Sequence, residues 1–371
     1  MNRPVSRRSV LSGAARAGLI LGTGTLAAAC GQGGTASKAG PPIKAKIDGD
    51  LSIFNWAQYM NPDVIKGFEK TYGVKVHQTF FDNDEAMLAK LAAGVPFDFV
   101  VPSGGNYIPR LAAANLLTPI PHAELKNFGQ VLPFFHNPFY DRGARYSLPY
   151  AAGTTGIAWR TDKVGGMTGS WNDLWNHPKA KGKIFLLDEL ADTLGMSLIR
   201  LGYNINSTAP DQVNAAADAL LKLKPMLAGF STNDITNLDG GQAWIEHAWS
   251  GDVYVALTSA KNPHLYQYQT CEEGVPTWAD TMAIPRNAQH PGTALKFIDY
   301  LLDPEVSAMN ATWVGYPSGT TAGTAAFNKL VKDFPWLQIT ESMLDTGEWS
   351  KPLLGAGLTL WDEAWTKVKA G

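Results

Sequence analysis

The chain has 371 residues, 45% hydrophobic and 17% charged, with a formal net charge of −2 and two cysteines. That length exceeds one small core and sets about two domains as the starting expectation, and the apolar share excludes long disorder. Near-neutral charge excludes a general nucleic-acid binder, which needs a basic face for phosphates, and two cysteines exclude a disulfide scaffold or a Cys-rich metal centre. The 12 tryptophans are many for this length, and some are expected to form binding surface.

The first 29 residues read as an address. They carry Arg3, Arg7, Arg8 and Arg16, no acid, and then a short apolar run, the order of an export signal. Ser6-Arg7-Arg8-Ser9-Val10-Leu11 resembles a twin-arginine signal. Leu26-Ala27-Ala28-Ala29-Cys30 resembles a lipoprotein box, with Leu26 four places before Cys30. Cys30 is the expected lipidation point, which anchors the protein to a membrane, and residues 30–46 the flexible tether that follows. Removing the address leaves 27 basic against 33 acidic residues, a net −6 that suits a cationic ligand. Cys271 is then expected as a buried small apolar side chain.

Strand and helix patterns alternate through the body. Residues 51–55 read as a strand, 62–72 as a helix, 74–81 as a strand, 85–93 as a helix, 97–102 as a buried strand and 107–114 as a helix. This rhythm predicts an α/β fold with a mostly parallel sheet, whose ligand crevice lies beyond the carboxyl ends of the strands, at Trp56 and Ser103. A less regular stretch, 119–146, leads into small residues at 150–156, read as a crossing between lobes before a strand at 157–160. A second rhythm follows: a strand at 183–187, helices at 193–201, 210–223 and 240–249, and a strand at 253–257. Then come an extended 282–285, a helix at 291–302 and another helix from Asp303-Pro304. The Gly/Ala/Thr-rich 315–325 is read as a second hinge crossing.

No metal motif, nucleophile elbow, P-loop or dinucleotide fingerprint is present, so neither a metal nor a cofactor is expected. Ser103-Gly104-Gly105 suggests at most a weak anion nest. Glu189 and Asp192 sit three apart between a strand and a helix, where one acid complements the helix dipole. Trp249-Ser250-Gly251-Asp252 reads as the end of a helix and the opening of a strand, and Trp278-Ala279-Asp280 as the approach to another strand. With Trp56 and Tyr59, these place indoles and carboxylates repeatedly at strand–loop junctions.

In combination and order, the motifs FNWAQY (54–59), FDFVVPS (97–103), TTGIAWR (154–160), WSGDVYVA (249–256), WADTMAIPRNA (278–288) and VGYPSG (314–319) make the chain resemble the spermidine/putrescine-binding proteins of bacterial ABC importers. The resemblance implies a two-lobed type II periplasmic-binding-protein fold, each lobe a mostly parallel sheet flanked by helices, with the ligand held between the lobes. It implies lobe 1 over 47–153 and 278–322, and lobe 2 over 154–277 and 323–371. The implied ligand-binding residues are Trp56, Tyr59 and Ser103, then Glu189 and Asp192, then Trp249 and Asp252, and finally Trp278, Asp280 and Tyr316. Ala57 stands where the family has a hydroxyl, Gly104-Gly105-Asn106 displaces an aromatic for which Tyr107 is the available substitute, and Ser350 stands where spermidine binders carry Gln.

The chemistry agrees. A polyamine enters as a polycation, its amines titrating near pH 10, and stripping their water costs several kcal/mol each unless carboxylates compensate. Asp280 is expected to hold one amine, and Glu189, Asp192 or Asp252 others. Indole faces suit the methylene spacers and add cation–π attraction of roughly 0.5–2 kcal/mol. The expected protein is an exported, lipid-anchored, monomeric receptor for putrescine or spermidine, serving an ABC permease and binding no nucleic acid. It is not an enzyme. The alternatives are the same fold binding another organic cation or an amino acid-like or opine-like solute, and a secreted carboxylate-dependent hydrolase.

Overall fold

The computed structural model describes residues 43–259, 265–334, 337–338 and 340–371. The expected signal, Cys30 and most of the tether lie outside the described residues. Strand β1 (Leu51–Trp56) leads through helix α1 (Pro62–Tyr72) to β2 (Val76–Phe81). Helix α2 (Asp84–Ala92), the short β3 (Phe99–Val100), α3 (Gly104–Ala113) and β4 (Leu117–Thr118) follow. Local chemistry sets these boundaries: the Asn61 side chain caps α1 by accepting from the Asp63 N–H, Pro62 opens it, and Gly73 closes it at φ +70°.

Turns of 3-10 helix fill 122–144, and then β5 (Ser147–Arg160) runs for 14 residues. After α4 (Thr161–Val164) come β6 (Ile184–Leu186), α5 (Leu190–Arg200), α6 (Pro210–Leu223), β7 (Leu227–Phe230), α7 (Asp234–Asp239), β8 (Ile245–Trp249), α8 (Ser250–Ser259) and β9 (Tyr266–Gln269). The chain returns along β10 (Pro276–Pro285) and finishes with α9 (Pro291–Leu301), α10 (Pro304–Val314), α11 (Thr321–Leu330), α12 (Glu341–Thr346), β11 (Glu348–Trp349) and α13 (Gly355–Ala370).

The strand order is β2-β1-β3-β10-β5-β8-β6-β7. The outer groups β2-β1-β3 and β8-β6-β7 are each parallel, and β10 and β5 run antiparallel between them. Two main cores result. One gathers β1, β3, β10 and α9 around Phe54, Phe68, Phe99 and Phe297; the other gathers β6, α5, α6 and α13 around Trp171, Leu194, Leu220 and Trp361. This is the two-lobed, type II periplasmic-binding-protein architecture, a parallel sheet flanked by helices in each half. Strand β5 pairs with β10 up to Thr154 and with β8 from Thr155, so one strand serves both halves.

Two expected elements are exchanged. Residues 245–249, read as helix, form β8, and 253–257, read as strand, lie in α8. Strand β8 is central and buried between β5 and β6, so it need not alternate apolar with polar, and it buries Glu246 and His247 instead. The small residues at 150–156, read as a crossing between lobes, lie within β5 where it passes from β10 to β8, and Trp278-Ala279-Asp280 lies inside β10 rather than before a strand. In the segment 315–325, α11 begins at Thr321; the preceding loop is tied to β5 by the Ala152 N–H to the Pro317 carbonyl, 3.0 Å.

Candidate ligand-binding site

A cavity of about 420 Å³ opens between the halves, at the carboxyl ends of the parallel strands. All ten expected residues line it. Trp56 ends β1 and Tyr59 follows it, Ser103 and Glu189 immediately precede α3 and α5, and Asp192 lies in the first turn of α5. Trp249 ends β8, Asp252 lies in the first turn of α8, Trp278 and Asp280 lie on β10, and Tyr316 follows α10. Because the strand at 245–249 turns directly into a helix, the W-x-G-D motif joins a strand to a helix, the reverse of the order read from sequence.

Asp280 is buried and accepts from Tyr59 Oη at 2.8 Å and Ser103 Oγ at 3.0 Å. The register of β10 against β5 shifts between Asp280 and Thr281, a bulge that re-aims a side chain where the ladder would otherwise fix it. Burial above all raises the Asp280 carboxyl to about 7 against its two hydrogen bonds. Asp192 accepts from Thr155 Oγ1 at 2.9 Å, and burial lifts it to about 6. Asp252 accepts from Tyr316 Oη at 2.7 Å and is likewise pushed to about 6 by burial. Glu189 is held well above the ordinary carboxylate range, first by burial, then by the negative field of Asp84 and Asp192, and its Oε1 has no hydrogen-bond partner within the protein.

The aromatic groups form continuous walls. Trp56 meets Trp249 at 6.4 Å between ring centroids, and Trp278 meets Tyr316 at 5.0 Å, both edge to face. Tyr59 lies 5.9 Å from Tyr316. Trp56 is anchored by Nε1 donating to the Val101 carbonyl at 3.1 Å, whereas Trp278 Nε1 has no partner within the protein. Gly153 makes room for the Trp278 indole: a Cβ there would sit 2.4 Å from Cζ2.

The sequence reading missed three acids on the same lining: Asp82, Asp84 and Asp234. Asp82 and Asp84 follow β2, and the strand-end rule applied to that strand would have found them. Asp234 follows β7, a strand the sequence reading did not register. Asp234 accepts from the Trp249 N–H at 3.1 Å and Glu246 from Asn237 Nδ2 at 2.8 Å, and burial raises both carboxyls. Tyr107 lines the cavity, but its hydroxyl donates to the Glu85 carboxylate and its ring lies 4.7 Å from the Arg110 guanidinium. Gly105 and Ser350 meet where the implied aromatic and Gln are missing: a Cβ on Gly105 would lie 2.5 Å from the Ser350 carbonyl. No external anion is needed at Ser103, whose N–H faces Asp84 Oδ1 at 3.4 Å. His247 is buried on β8 against Trp171 and kept neutral, its pKa lowered to about 3 by burial.

The lining thus holds seven carboxylic acids, and no Lys, Arg or His lies among the described residues on it. Such a surface takes up cations, and its indole faces accept the apolar spacers between them. Among the described residues no three His, Cys, Asp or Glu side chains are grouped to hold a metal ion.

The family model described as bacterial extracellular solute-binding protein matches residues 63–335. The chain is 32% identical over 325 residues to the spermidine/putrescine-binding periplasmic protein of Escherichia coli (strain K12), covering 86% of this chain and 92% of that protein. A solved structure from Listeria monocytogenes, assigned to spermidine/putrescine ABC transport, superposes with a TM-score of 0.80 at 30% identity, covering 86% of this chain and 98% of that one. The TpPotD lipoprotein of Treponema pallidum superposes with a TM-score of 0.76 at 25% identity, covering 86% and 99%.

Proposed function

This chain belongs to the bacterial extracellular solute-binding proteins, and we propose from that premise that its cleft captures a polyamine, putrescine or spermidine, and delivers it to the permease of an ABC importer. The observation that carries the reading is the lining itself: seven acids, six of them buried or half-buried and Asp82 exposed, aromatic walls, and no basic side chain among its described residues. The related proteins named for spermidine and putrescine support it. An amino acid or opine would bring a carboxylate, for which this lining offers no cationic partner.

In this reading Asp280, oriented by Tyr59 and Ser103, is the central amine anchor. Glu189, Asp192 and Asp252 receive further amines, and Trp56, Trp249, Trp278 and Tyr316 sandwich the methylenes. The lobes divide at β5 and β10, with 47–153 and 278–322 in one and 154–277 and 323–371 in the other, and they close on the ligand because it touches both. The protein is exported, anchored through Cys30 and monomeric, and it catalyses no reaction. Thermal unfolding of the domain with putrescine, spermidine and a panel of amino acids tests this. The two polyamines should raise Tm in a saturable manner and the amino acids should not. A Tm raised by amino acids and unmoved by either polyamine would overturn the proposal.

A further inference from the structure

We infer that Asp84 and Asn106 of one half and Glu189 of the other form an additional ammonium subsite that bridges the two lobes. The inference rests on the polyamine reading, in which Glu189 already receives an amine, and extends it to Asp84 and Asn106, which that reading did not include.

Asp84 opens α2, Asn106 lies in the first turn of α3, and Glu189 immediately precedes α5, so the subsite draws on both halves of the sheet. All three line the cavity. Asp84 is 3% exposed, and the donors it meets come from Ser103, the backbone N–H at 3.4 Å and the side-chain hydroxyl. Asn106 is 6% exposed, with its carbonyl oxygen Oδ1 unpartnered, and Glu189 Oε1 is also unpartnered. Three oxygen acceptors with few donors in a buried place demand a donor-rich, positively charged guest. An ammonium, with its hydrogens directed to several acceptors, meets that demand. A metal ion is a poorer match, since no third acid, His or Cys completes a metal-holding group among the described residues.

Electrostatics adds a second consequence. The fields of Asp84 and Glu189 oppose each other's ionisation, and Glu85 and Asp280 add to the negative potential there. Glu85 is itself partly neutralised by Arg110 at 3.3 Å. Two like charges carried by opposite lobes resist closure until a cation lies between them. The subsite therefore helps to reserve closure for amines.

Asp84→Asn, which keeps shape and removes charge, tests this in the full domain with putrescine and spermidine as probes. The variant should melt higher than the parent when empty, because a buried carboxyl has been relieved. It should also bind at least one of the two amines at least tenfold more weakly by calorimetry, with a smaller ligand-induced rise in Tm. A misfolded variant would melt lower, so the opposite signs separate the subsite from simple damage. Glu189→Gln should reproduce the pattern, and small-angle scattering of the empty Asp84→Asn/Glu189→Gln protein should give a smaller radius of gyration than the empty parent. Parent-like affinity of Asp84→Asn for both amines overturns the inference and leaves the polyamine reading standing. Failure of the parent to bind either amine removes that reading and this inference with it.

Discussion

At the scale of single residues, the cleft shows what a buried acid needs in order to be useful. Asp280 is removed from water, so its charged form is costly, and the hydroxyls of Tyr59 and Ser103 offset only part of that cost. An arriving ammonium supplies the rest. Asp280→Asn should therefore weaken polyamine binding by about 3 kcal/mol or more, roughly a hundredfold, since an unmatched buried cation is left behind. Asp63→Asn, at an exposed acid paired with Lys66, should leave binding within about twofold of the parent, as expected for surface pairs. Titration calorimetry of the two variants side by side checks this, and equal losses would remove Asp280 from the site.

At the scale of elements, the long pair β5 and β10 positions the site. Their ladder puts Gly153 opposite Trp278 and Ala151 opposite Asp280, so the residue types on one strand decide how the ligand groups on the other can lie. Gly153→Ala would drive its Cβ into the Trp278 ring, forcing the indole aside at about 1–3 kcal/mol of packing cost. The expected outcome is a protein that still folds, melts somewhat lower, and binds amines several-fold to tens of times more weakly. Intrinsic tryptophan fluorescence during amine titration reads the displaced indole directly. The same pair shows what sequence patterns register. The apolar run of β10 is evident, but the bulge after Asp280 is not, because it arises from the meeting of two strands distant in the chain.

Across the whole molecule, the raised carboxyls tie stability and binding to pH. Asp280 at about 7 and Asp192 and Asp252 at about 6 lie above the unfolded value near 4, so the folded empty protein holds more protons than the unfolded chain between these limits. The sign follows: the empty protein loses stability as pH rises from about 4 to about 7, and the loss is complete above that. A polyamine keeps its charge throughout this window and favours the ionised acids, so its affinity rises over the same interval. The ligand-induced rise in Tm should thus be larger at pH 8 than at pH 5, with protons released on binding near pH 6. Calorimetry in buffers of different ionisation enthalpy measures that release, and a pH-independent affinity would mean that these carboxyls do not face the amine.

The sequence by itself determined the α/β alternation, the helix start written in Asp303-Pro304, and the short motifs that bring Trp56, Ser103 and Trp249 to strand ends. These depend on neighbours a few residues apart, and local chemistry is legible in order. Only the tertiary structure decided that 245–249 is a strand and 250–259 a helix, since burial on both faces erases the periodicity from which a strand is read. It alone brought Asp84, Asn106 and Asp234 to the same cavity as the expected ten residues, and it alone left that lining without a basic side chain among its described residues. Charge balance in a cleft is a sum over segments as far apart as β2 and β10, and the chain order does not state which acids will share one enclosed volume.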